Sequence, residues 1–129
     1  MTTVTEVSYS VASKKKGTDG IVELIDAGAS NGNIKIYDDA DVLLATIPLD
    51  DPCGTVSAET ALLTFAIDGD ETDATAGTAE YATVSDSDGT VHITMPVAEG
   101  SSAVSGYLVI NSLTILDGAT ITVVSATVG

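Results

Sequence analysis

The chain has 129 residues, enough for one domain that buries roughly two-thirds of the surface its unfolded form would expose, so it needs no disulfide or metal staple. Nineteen acidic residues stand against four lysines and no arginine, a formal net charge of −15, and such a surface repels phosphate backbones and anionic lipid. Nucleic-acid and membrane partners are therefore not expected, and no apolar run approaches the ~20 residues of a membrane span.

The start, MTTVTEVSYS, has no apolar stretch behind a basic region, so a secretory signal is not expected and synthesis in a reducing cytosol is. Val4 to Val11 alternates, with Val7, Tyr9 and Val11 on the more apolar face, and reads as a strand-like arm. Lys14, Lys15 and Lys16 with Gly17 interrupt it and form the one basic spot in an acidic chain. The stripe Ile21, Val22, Leu24 and Ile25 predicts a short helix over residues 19–27, capped by Asp19 and closed by Gly28. A strand is the alternative for so short a piece.

Beyond Asn31-Gly32 the signals are all β. A strand over Asn33 to Tyr37 places Ile34 and Ile36 on one face, and Asp38, Asp39 and Asp41 form a polar turn. Val42 to Leu49 is the next strand, with Pro48 marking an edge or an end. Asp50 to Gly54 reads as a loop, and Ser57 to Ile67 as an apolar run irregular near Glu59. Gly77 to Val84 and Thr90 to Met95 form a hairpin about Asp88-Gly89, with Asp86 capping the turn. Pro96 to Ser105 is a loop. Last comes a hairpin about Asp117-Gly118, in which the Val123-Val124 doublet breaks the alternation and predicts a bulge or burial on both faces.

Many short strands nearly without helix predict an all-β, single-domain antiparallel β-sandwich of the jelly-roll or Ig-like kind, in preference to a closed barrel. The organisation expected is an arm over residues 1–17 and a sandwich over 18–129.

Chemistry-bearing clusters are few. The acidic stretch from Asp68 to Asp73 suits calcium in composition, but a helix-flanked calcium loop needs Gly sixth and an acid twelfth. Counted from Asp68, those places hold Asp73 and Ala79. Asp70 and Asp73 remain the residues a nonstandard surface site would use, against the plainer reading of a solvated loop. His92 is the one histidine and Cys53 the one cysteine, far apart in sequence, so the first reads as a sheet-face residue and the second as a small buried or loop residue. Glycosidase chemistry needs only two carboxylates, but its clefts are normally lined by aromatics that this chain lacks. No enzyme activity and no cofactor are expected. With five aromatic residues, recognition would rest on backbone pairing and aliphatic contact, and the charge suits a partner with a basic surface.

Three segments read together carry a resemblance: LIDAGASNGNIKIYD (Leu24 to Asp38), DATAGTAEYATVSDSDGTV (Asp73 to Val91) and LVINSLTILDGATITVVSATV (Leu108 to Val128). LLATIPLDDPCG (Leu43 to Gly54) fits the same pattern. In this order they resemble small virion-associated proteins of tailed bacteriophages and prophages. The resemblance implies a capsid decoration (cement) protein on the exterior of the virion, a small β-rich subunit that assembles as an oligomer and clamps neighbouring capsomers. The form expected is a homotrimer whose partners are the major capsid protein and its own copies. The chain departs from that pattern in a shorter loop at Asp38 to Asp41, in Tyr81 where a larger aromatic is typical, and in its start, Met1 to Gly17. Partner contact is assigned to that start: Val4, Val7, Tyr9 and Val11 would add a strand to a neighbour, and Lys14, Lys15 and Lys16 would fix it against acidic surface. The alternative is a head-fibre, tail or vertex component that binds host glycan or receptor through the loops Asp68 to Thr75 and Pro96 to Ser105.

Overall fold

The computed structural model describes residues 10–28, 30–67, 74–104 and 106–128. One helix, α1 (Val11–Asp26), precedes nine strands: β1 (Asn33–Tyr37), β2 (Leu43–Val56), β3 (Leu63–Ile67), β4 (Gly77–Thr78), β5 (Tyr81–Ser85), β6 (Val91–Glu99), β7 (Leu108–Ile110), β8 (Thr114–Ile115) and β9 (Val123–Val128). Seven of them close into a barrel in the order β1-β2-β3-β9-β7-β6-β5, with β5 returning to β1. The expected β-sandwich is thereby overturned, and so is the expectation of wholly antiparallel pairing. Strand β7 runs parallel to β6, Val97 opposite Leu108 and Glu99 opposite Ile110.

Closure follows from irregularities in the ladder. Each bulge bends its strand and increases local twist, which curls a sheet that would otherwise stay open. Leu44 is the extra residue between Tyr37↔Leu43 and Ile36↔Ala45, and the bulge lets both Leu44 and Ala45 face the core. His92 is extra between Ser85↔Val91 and Val84↔Ile93. Val124 is extra between Ile110↔Val123 and Val109↔Ser125, as the valine doublet predicts. The largest irregularity lies in β2 between Leu49↔Ile67 and Gly54↔Phe65. Through it one 14-residue strand pairs with β1 over its first half and β3 over its second. Pro48 and Asp50 to Gly54 thus belong to a long bent strand, not to a strand end and a loop; Pro48 lies where β2 leaves β1.

Both mouths of the barrel are filled. Helix α1 crosses one of them, from the β2–β3 turn, where the Thr18 hydroxyl lies 3.2 Å from the Ala61 carbonyl, to the β5–β6 turn, where Gly28 lies against Ser87. Ile25, fully buried, joins the same core cluster as Ile34 and Ile47. At the far mouth β4 and β8 pair as a two-stranded sheet, with Ile115, Ala74 and Ala79 buried. Its backbone is tied to the barrel by Thr75 N–H to Leu44 O (2.8 Å) and Glu80 N–H to Tyr37 O (2.9 Å). No pocket opens among the described residues.

The helix is longer than its apolar stripe predicts. It starts at Val11, with Ser10 as N-cap accepting from Ser13 N–H at 3.1 Å, and runs through Lys14 to Gly17 without a break. Asp19 is therefore not the cap but the i+4 partner of Lys15, at 2.9 Å. Nor does Gly28 close the helix in a left-handed conformation; Ala27 ends it with φ −71°.

Candidate functional site

The residues assigned to partner contact fall in three groups. Val4, Val7 and Tyr9 lie outside the described residues, as do Asp70 and Asp73 of the calcium reading and most of the acidic loop from Asp68. Val11 opens α1, so it is helical and not the last residue of a strand. Lys14 and Lys16 are exposed on the first turns of the helix, while Lys15 is held by Asp19. The structure thus places the basic spot at the helix-covered mouth, beside the β2–β3 turn. Of the second proposed binding loop, Pro96 to Glu99 belongs to β6.

His92 and Cys53 each have a carboxylate neighbour, for structural reasons. The bulge at His92 turns its ring toward the β5–β6 turn, where Nε2 lies 3.0 Å from Asp86 Oδ2. The other Asp86 oxygen accepts from the N–H groups of Asp88 and Thr90, both at 3.0 Å, and so caps the Asp88-Gly89 turn as the sequence predicts. The hydrogen bond to His92 holds the Asp86 carboxyl below its ordinary range, helped by those amides and opposed by partial burial. Cys53 N–H donates to both oxygens of Asp26, at 3.0 and 3.2 Å, so the helix end satisfies an amide that the irregular stretch of β2 takes out of the ladder. Burial first, and Asp26 second, push the Cys53 thiol up to about 12. Among the described residues no group of three or more His, Cys, Asp or Glu is placed to hold a metal ion.

One arrangement was not legible in the sequence. Tyr37, opposite Leu43 on β2 and Tyr81 on β5, and Tyr81, opposite Pro96 on β6, make a registered row across four strands. Each alternates with core-facing neighbours (Ile36, Ala82, Met95), so the row lies on the outside of the barrel. The two tyrosine rings stack at 5.1 Å and 14°. The Tyr81 hydroxyl donates to Asp41 Oδ1 at 2.6 Å, and that bond pushes the phenol up to about 12. Asp41 reaches it from a left-handed backbone (φ 63°) in a turn closed by Asp38, whose carboxylate accepts from Ala40 and Val42 N–H. The only sequence signal was the parity of Tyr37 relative to Ile34 and Ile36; that Tyr81 stands beside it is a fact of strand pairing.

No protein-family model matches the chain, and no curated protein or solved structure matches it either. Among the described residues no helix is long and apolar enough to cross a membrane.

Proposed function

We propose that the chain is a structural protein of a tailed-phage particle, a homotrimer that binds the outer capsid surface and holds neighbouring capsomers together. It acts by binding and not by turnover. The observation that carries the reading is the filling of both barrel mouths, by α1 and by β4 with β8. A barrel packed from end to end offers its outer surface for recognition, which suits a part that must sit on a large assembly and resist unfolding. The ordered resemblance of three segments to phage virion proteins supplies the particular assembly, and the charge of −15 suits a basic site on it.

The test is addition of the purified protein to expanded capsids that lack it, read by image reconstruction and by capsid melting. Hundreds of copies per particle and a raised melting temperature are expected. A few copies at a vertex or tail would instead indicate the component that binds host glycan or receptor, and no binding would remove the reading. The arm is tested separately by deleting residues 1–9, which leaves Ser10 and the whole of α1 in place. Full occupancy by that variant would show that the arm does not attach the protein.

A further inference from the structure

We propose that the outer row Leu43–Tyr37–Tyr81–Pro96, with the carboxylates around it, is a docking surface for a cationic polypeptide that presents Lys or Arg beside aliphatic side chains. The proposal concerns the chemistry of the contact and stands whether or not the partner is a capsid protein.

Three observations converge. The first is composition: of five aromatic residues, two are stacked together on the outside of the barrel, beside Leu43 and Val42, which are 42% and 48% exposed. A stacked tyrosine pair flanked by exposed aliphatic side chains is the make-up of an interface centre, where Tyr is enriched. The second is rigidity. Tyr37 covers one ring face of Tyr81 and Asp41 holds its hydroxyl, so docking costs little further side-chain entropy. The third is charge. Asp38, Asp39 and Asp41 in the adjoining turn and Glu80 before Tyr81 flank the row, and Lys35, on the same face two residues before Tyr37, is the one nearby cation among the described residues. A guanidinium or ammonium seated over a tyrosine ring face and paired with Asp41 or Asp39 meets both groups it prefers.

The same charges argue against a second copy as the occupant. Lys14 and Lys16 lie at the opposite, helix-covered mouth, and each copy carries −15, so self-docking here works against the whole field of the molecule. A foreign cationic surface is drawn by that field.

The experiment titrates the isotope-labelled full chain with a short capped peptide alternating Arg and Val, followed by amide NMR shifts, with the neutral citrulline–Val peptide alongside. The expected shifts centre on residues 37–43 and 80–82, weaken steeply with added salt, and are absent with citrulline. Tyr81→Ser and Asp41→Asn should each weaken binding about tenfold, and Glu23→Gln, which removes one charge from α1 at the helix-covered mouth, less than about twofold. Asn tolerates the left-handed backbone at position 41. Tyr81→Phe keeps the ring stack and loses only the hydroxyl, so it remains informative if Tyr81→Ser fails to fold; it should weaken binding about threefold. Shifts spread over the whole acidic surface, or equal losses for Asp41→Asn and Glu23→Gln, would overturn the proposal. So would sedimentation showing wild-type self-association that Tyr81→Phe or Tyr81→Ser abolishes. Failure to bind capsids with this peptide response intact would count against the phage assignment alone.

Discussion

Helix α1 contains two glycines, Gly17 and Gly20, in its interior, where glycine is about 1 kcal/mol less favourable than alanine. Neither has a left-handed backbone, and a methyl group built on either meets nothing within 4 Å. Gly17→Ala and Gly20→Ala should therefore each stabilise the protein by ~0.8 kcal/mol, mainly by reducing the freedom of the unfolded chain, and the pair by ~1.6 kcal/mol. At a specific unfolding entropy near 2.1 cal/mol/K per residue, the double variant should melt about 6 °C higher. The assay is urea unfolding by circular dichroism, with a raised midpoint at unchanged slope, together with a thermal scan. Gly54→Ala is the contrast, because its added methyl would lie 2.4 Å from the Thr64 carbonyl and must destabilise. If Gly17→Ala leaves stability unchanged or lowers it, the segment from Val11 to Gly17 is not helical as described. The strand-like arm of the sequence reading would then deserve restoring.

Three further outcomes are expected. Asp26→Ala should cost ~1–3 kcal/mol in urea unfolding, because it leaves the Cys53 amide without its acceptor, while Asp26→Asn, which keeps an acceptor oxygen, should cost less. Cys53, fully buried with its thiol pushed up to about 12, should resist maleimide in the native protein and react on unfolding; fast native labelling would contradict its placement. For Asp86, whose folded pKa is depressed, the stability from its charge is fully present above the unfolded carboxylate value of about 3.9 and is lost as pH falls through the lower folded value. The difference in urea midpoint between wild type and Asp86→Asn should accordingly shrink on acidification below about pH 4; a difference that grew there would refute the His92–Asp86 contact.

Local features were the most legible. The alternation of Asn33 to Tyr37 located β1 to the residue, and Asp88-Gly89 with Asp86 located the β5–β6 turn and its cap. The doublet Val123-Val124 marked the bulge in β9. The helix was half visible, because Ile21 to Ile25 carries the apolar stripe, whereas Val11 to Gly17 is helical through the Ser10 cap, the Lys15–Asp19 pair and the contact of Thr18 with Ala61. That last contact spans 43 residues and leaves no mark in local sequence. Pro48 misled in the opposite sense: it normally ends pairing, yet here it sits where one strand passes from one partner to the next.

By itself the sequence determined that this is a β-rich, strongly acidic chain, and which face of each regular strand is apolar, because side-chain alternation has a fixed period of two and charge is a simple sum. Only the tertiary structure decided that those faces close round a barrel core, since a sandwich and a barrel bury one face of each strand equally well. Closure was settled by bulges, by the passage of β2 between partners and by the parallel β6–β7 pair. The same pairing decided the outer surface: Tyr37 and Tyr81 are 44 residues apart in the chain, and register alone brings their rings to 5.1 Å.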